Sequence, residues 1–223
     1  MRTTLEAKHL TGLAARWADL DGDLAAGLDA LGLALTAAQR GSLLRYLALL
    51  ERWNQAYNLT AVDQPAEMVA RHLLDSLCVQ RFLHGPLVMD SGTGAGLPGV
   101  PLAIARPTLT FRLVDSNGKK VRFLRQVRRE LGLENIEPVH ARLEDLPLDP
   151  VPETITARAL APLARLIEWH QAWLDRGSRL LALKARVEEK ELEGVPDAYN
   201  VELIDLKVPG LDARRCLAII TGL

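Results

Sequence analysis

The stretch Leu87-Val-Met-Asp-Ser-Gly-Thr-Gly-Ala-Gly-Leu-Pro-Gly-Val-Pro-Leu-Ala-Ile-Ala-Arg106 constrains the fold more than any other part of the chain. An apolar run, Leu87 to Met89, ends on the carboxylate of Asp90. Gly92, Gly94, Gly96 and Gly99 follow, and then an apolar helical pattern. This order spells strand, tight turn, helix. Glycine admits positive φ and lets the backbone approach a ligand that a Cβ would block. Pro98 falls near the first helical turn, where a missing N–H costs nothing. The result is a niche at a helix N-terminus.

Two ligands compete for that niche. Gly94-x-Gly96-x-x-Gly99 matches the dinucleotide fingerprint, with Asp115 about twenty residues on, where a ribose-binding acid belongs. Read from Asp90, the string is Asp-x-Gly-x-Gly-x-Gly, with an acid ahead of the first glycine. A carboxylate there would repel a pyrophosphate and attract the ammonium and sulfonium of S-adenosylmethionine. A ligand-free joint can carry the same glycines, but acids at two strand ends favour the methyl donor.

Around this turn strands and helices alternate, as in a mostly parallel α/β sheet of the Rossmann-like type. Further strands are predicted at Phe111–Asp115, Ile136–His140, Thr154–Arg158 and Ser178–Lys184. Val201–Leu206 and Cys216–Ile220 would close the sheet as an antiparallel hairpin. Gly85-Pro86 breaks the chain before the first strand, so residues 1–82 read as a helical extension and 83–223 as the sheet core. Short helices interrupted by Gly12, Gly22, Gly27 and Gly32 open that extension. Thr36-Ala-Ala-Gln39 is a capping box for a helix whose apolar face carries Leu43, Leu44, Leu47 and Leu50. The helical pattern fades over Glu51–Val62. Asp63 and Pro65 then suit the N-cap and first turn of another helix, lined by Val69, Leu73 and Leu77. Arg71 and Asp75, four apart, fit a surface pair, while His72 suits either packing or function.

Composition narrows the class. The chain has 223 residues, of which 48% are hydrophobic, enough for one sizeable core with a small appendage. The net charge of −1 gives no overall basic field, so a nucleic-acid partner would be met through a local patch. The helix after Asn117 supplies one: Lys119, Lys120, Arg122, Arg125 and Arg129 far outnumber its acids, a bias suited to phosphates as well as to a solvated face. Cys78 and Cys216 are isolated and read as buried, reduced thiols, with no metal site. No apolar run reaches membrane-spanning length and no signal-peptide pattern is present, so a cytoplasmic location away from membranes is expected.

Several strings taken together resemble one family. They are Trp53-Asn-Gln-Ala-Tyr-Asn-Leu-Thr60, Arg71-His-Leu-Leu-Asp-Ser76, the Asp90–Gly99 turn, Asp115-Ser-x-Gly-Lys-Lys-x-x-Phe-Leu124, Ala141-Arg-x-Glu144 and Arg158-Ala. They are similar to the bacterial 16S ribosomal RNA guanine-N7 methyltransferases, the RsmG or glucose-inhibited division protein B family, within the class I S-adenosylmethionine-dependent methyltransferases. The likeness runs from about Thr36 to the end of the chain. It implies methylation of guanine 527 in 16S ribosomal RNA, with the RNA or the small ribosomal subunit as partner and no obligate protein partner evident. It also implies cofactor contacts at Gly92, Leu97, Asp115, Leu143, Glu144 and Arg158. The RNA itself is expected to meet the local basic residues Arg71, Lys119, Lys120, Arg122, Arg125 and Arg129. Ser91 departs from the family's usual aliphatic residue, and Ala185 from its frequent glycine.

Guanine N7 bears a lone pair and no proton, so its methylation needs alignment and no general base. No catalytic residue is assigned on that account. Arg158 and Lys184, at strand ends, are candidates for holding O6 or the phosphates rather than the ring. The rival readings are a nicotinamide-dependent oxidoreductase, a non-catalytic ribosome-assembly module and a small-molecule methyltransferase.

Overall fold

The computed structural model describes Trp17 and residues 19–223; the short helices expected before Trp17, with Gly12, lie outside that range. Helix α1 (Asp21–Ala30) and helix α2 (Ala37–Tyr57) are followed by a third helical segment, α3, which runs as α-helix over Pro65–Met68, π-helix over Val69–Leu74 and α-helix over Asp75–Leu77. The sheet strands are β1 (Leu87–Ser91), β2 (Thr110–Asp115), β3 (Ile136–His140), β4 (Thr154–Arg158), β5 (Arg179–Lys184), β6 (Tyr199–Leu206) and β7 (Arg215–Gly222). Between them lie α4 (Gly99–Ala105), α5 (Gly118–Leu131), α6 (Leu163–Leu174) and the short α7 (Glu189–Glu193).

The strand order is β3-β2-β1-β4-β5-β7-β6, parallel from β3 through β5, with β7 antiparallel to both β5 and β6. The order reverses between β1 and β4, where sheets of this kind hold their ligands beyond the strands' carboxyl ends. Both faces are covered, so the central strands are buried throughout; Leu180, Leu181, Ala182 and Leu183 all lie inside. On one face, Val88, Phe111, Leu113, Leu181, Leu217 and Ile219 join a core that continues into Leu43, Leu47, Leu50 and Leu73 of the helical extension. On the other, α6 packs through Leu163, Leu166, Ile167 and Trp173.

The capping box forms as the sequence predicts: the Thr36 hydroxyl accepts the Gln39 amide at 3.2 Å and Gln39 Oε1 accepts the Thr36 amide at 2.9 Å. Gln39 Nε2 also donates to the carbonyls of Ile104 and Ala105, closing the end of α4. Three expectations are corrected. Helix α2 does not fade after Glu51; Trp53 stacks on Tyr57 with centroids 5.2 Å apart and tilts against Phe123 at 5.6 Å, so tertiary packing carries the helix on. Gln64, not Asp63, precedes the first turn of α3, with no side-chain cap. Arg71 and Asp75 do not pair: Arg71 meets Glu67 on the surface at 3.3 Å, while Asp75 is turned inward within a segment buried at nearly every other position.

Candidate active site

The first helical turn after β1 is built inward. The amide of Thr93 donates to Val114 O, those of Gly96 and Leu97 to Thr93 O, and that of Gly94 to Asp115 Oδ2 at 2.9 Å. The amide of Gly99 donates to Asp90 Oδ2, also at 2.9 Å. Asp90 is fully buried and accepts two further bonds, from the hydroxyls of Thr93 and Thr156. Burial pushes its carboxyl up to about 6, against the pull of those three donors. Asp90 therefore does not present a charge to a ligand, as the sequence suggested; it serves as the internal anchor of the turn. The turn is braced from outside by Tyr46 of α2, whose buried hydroxyl donates to Ala95 O at 2.8 Å.

This arrangement separates the two candidate ligands on different grounds from the charge of Asp90. A pyrophosphate at a helix N-terminus is held by free backbone N–H groups. Here the amides of Thr93, Gly94, Gly96, Leu97 and Gly99 are already bonded within the fold.

Beside the turn opens a cleft of about 340 Å³, lined by Gly92, Asp115, Leu143, Glu144, Leu160 and Trp169 among others. Gly92 has φ +62, and a Cβ there would stand 2.6 Å from Leu160 Cδ1, so the wall needs glycine at that point. Asp115 is mostly buried; its Oδ2 accepts Gly94 N, its Oδ1 accepts Asn117 N at 2.8 Å, and Lys120 Nζ stands 3.6 Å away. Each oxygen keeps a lone pair, so the carboxylate can accept two hydroxyls from a ribose. Leu143 and Glu144 sit on a 3₁₀ turn after β3, facing the same space.

The other predicted residues are placed differently. Leu97 is packed in the core and does not line the cleft. Arg158 leaves the end of β4 on the face toward α3, where its Nη1 stands 3.3 Å from Asp75 Oδ2. Lys184 pairs with Glu191 and donates to Ala161 O at 3.2 Å. Lys119, Arg122, Arg125 and Arg129 are exposed along α5, whereas Lys120 is half-buried beside Asp115. Arg71 lies exposed on α3.

The family-like strings meet in space. Asn54 Nδ2 donates to Thr60 O at 2.9 Å and its Oδ1 accepts Thr60 N at 2.8 Å, while the Thr60 hydroxyl contacts His72 Nε2 at 2.9 Å. His72 is buried and pushed down to about 4 by burial, so it packs as a neutral ring. Ser91 is likewise explained: its hydroxyl contacts His170 Nε2 at 2.9 Å, and His170 Nδ1 contacts Leu166 O at 2.7 Å. The sequence reading missed Trp169, Leu160 and Ser116 in the cleft wall. Only Trp169 carried a signal, as a partly exposed aromatic on a helix whose buried stripe runs elsewhere.

The family model for rRNA small subunit methyltransferase G, GidB, matches residues 39–218. The chain belongs to the rRNA small subunit methyltransferase G family. It is 46% identical over 190 residues to the ribosomal RNA small subunit methyltransferase G of Escherichia coli O1:K1 / APEC, covering 85% of this chain and 92% of that one. Its fold is that of the class I S-adenosylmethionine methyltransferases. The magnesium protoporphyrin IX methyltransferase of Synechocystis PCC 6803, solved with bound cofactor, superposes with a TM-score of 0.56 at 17% identity, over 85% of this chain and 99% of that one. The B. subtilis m1A22 tRNA methyltransferase TrmK superposes at 0.55 with 13% identity, over 67% of this chain and 65% of that one. In this chain the described helices of the extension join the sheet through one continuous core. Among the described residues, no helix is long and apolar enough to cross a membrane.

Proposed function

We propose that this chain methylates N7 of guanine 527 in 16S ribosomal RNA, using S-adenosylmethionine. Family membership supports an rRNA substrate on the small subunit, and the inward-bonded glycine turn is the single observation that carries the cofactor's choice. The cofactor, when bound, supplies an electrophilic methyl group. The residues present fit it: Gly92 leaves the wall open, Asp115 offers lone pairs to ribose hydroxyls, and Leu143 and Glu144 flank the adenine end. Leu97 contributes from behind the turn, and Arg158 supplies positive charge at the opposite edge of the switch point.

The chemistry asks little more of the side chains. Guanine N7 has no proton to remove, so the protein's task is to hold the base in line and exclude competing orientations. Lys119, Arg122, Arg125 and Arg129, with Arg71, form the RNA-facing charge, while Lys120 steadies Asp115 as much as any phosphate. In the division into an extension at 1–82 and a catalytic core at 83–223, the described helices of the extension buttress the core. The enzyme works in the cytoplasm, where ribosomal RNA is modified.

The test uses purified protein, tritiated S-adenosylmethionine and unmodified small subunits or deproteinised 16S RNA. Label in 7-methylguanosine after nuclease digestion supports the assignment. Label in another nucleoside, or none with either substrate, overturns it.

A further inference from the structure

One carboxylate outside the cleft joins three distant parts of the chain. Asp75, at the end of the π-helical turn of α3, is 4% exposed. Its Oδ2 lies 3.3 Å from Arg158 Nη1 at the end of β4, and its Oδ1 accepts Arg215 Nε at 2.7 Å from the start of β7. Strand register explains the meeting. Arg158 is opposite Leu183, Leu183 is opposite Leu217, and Arg215 precedes Leu217 by two, so both guanidiniums emerge on the face that α3 covers.

Two guanidiniums thus share the single buried carboxylate of Asp75. Arg158 Nη1 is buried and has no hydrogen-bond partner among the described residues, its contact with Asp75 being one of charge without hydrogen-bond alignment. A buried guanidinium N–H left open in this way is suited to an anionic ligand group. Of the neighbouring groups, the His72 ring is held neutral and Cys78 is kept as a thiol, while the buried carboxylate of Asp90, already bonded to Thr93, Thr156 and Gly99, feels the charge of Arg158.

We propose that Asp75 is a positioning residue: it aims Arg158 at the anionic end of the cofactor, while Arg215 secures the carboxylate's other oxygen. This rests on the assignment of Arg158 to cofactor binding. An Arg on a long stem has many rotamers, and a buried anchor removes that freedom before the ligand arrives. The π-helical turn matters here because turns of that kind often mark functional positions, and this one delivers Asp75 to the sheet edge.

The test is a double-mutant cycle read by calorimetric titration of S-adenosylmethionine into the full chain. Arg158→Ala and Asp75→Asn should each weaken binding about tenfold, and the double variant should bind no worse than Arg158→Ala alone, as for groups acting through one contact. Full additivity would overturn the role of Asp75 while leaving Arg158 in place. Unchanged affinity in Arg158→Ala would overturn the assignment of Arg158 and the proposal with it. Should Asp75→Asn not fold, Asp75→Glu enters the same cycle: it keeps the charge but displaces it by a methylene, and the same non-additive loss is expected.

Discussion

The amide of Gly99 donates to the buried carboxylate of Asp90 at 2.9 Å, and a Cβ at position 99 would stand 2.7 Å from that same oxygen and 2.3 Å from Leu113 Cδ2. The anchor of the cofactor turn and the start of α4 therefore fit only with glycine there. Gly99→Ala should cost about 1–3 kcal/mol of stability through overpacking. In a chain of this size each kcal/mol lowers the melting temperature by about 2–4 °C, which differential scanning calorimetry reads directly. A variant as stable as the parent would show that the turn can shift around Asp90.

Asp115 performs two tasks at once, holding the Gly94 and Asn117 amides and offering its remaining lone pairs to the cleft. Asp115→Ala should weaken S-adenosylmethionine binding by about 1.5–3 kcal/mol, the range for hydrogen bonds to a charged group, or roughly 10- to 150-fold. Calorimetric titration measures it. Retained affinity would remove the ribose from this side of the cleft.

The strands and the glycine turn were legible because their signals are local. β3 and β4 match the predicted bounds, and β1, β2 and β5 run as apolar segments ending at a charged or turn residue. The sites were less legible wherever a residue's partner lies far along the chain. Asp90 looked like a charged lip because nothing near it announces Thr156, which is 66 residues away. Asp75 looked like the surface partner of Arg71, whereas its ligands are Arg158 and Arg215. Trp169 entered the cleft only through the docking of α6 on the sheet.

The Ser91–His170 contact spans 79 residues and stands where the family resemblance implies an aliphatic residue. Ser91→Val alone leaves His170 Nε2 buried without a partner, a cost of about 1–3 kcal/mol, while Ser91→Val with His170→Leu should be much closer to neutral at pH 7. The pH dependence gives a second reading. Burial pushes His170 down to about 4 from an ordinary 6.5, so its stabilising contribution is full above 6.5 and is lost as pH falls through 4. His72 acts in the same direction. Asp90, raised to about 6, acts in the opposite one, its contribution being present below 3.8 and lost as pH rises through 6. Between pH 6.5 and 4 the double variant should therefore lose less stability in urea titrations than the parent. An identical acid slope would contradict the assignment.

Lys119, Arg122 and Arg125 make no ion pair among the described residues, and with Arg129 they line the exposed side of α5. If they contact phosphates, each replacement by alanine should lower the slope of log affinity against log salt by about one, with little change in which RNA is preferred. Filter binding to 16S RNA at several salt concentrations tests this. Slopes that do not move would place the RNA elsewhere on the surface.

The most direct test of the central claim is the modification itself, mapped on ribosomal RNA from cells with and without this gene. Borohydride reduction followed by aniline cleaves the RNA at 7-methylguanosine, and primer extension locates the break. A stop at guanine 527 is expected that disappears on deletion and returns with the intact gene but not with Asp115→Ala. A stop that persists after deletion, or one that never occurs at that guanine, would contradict the claim.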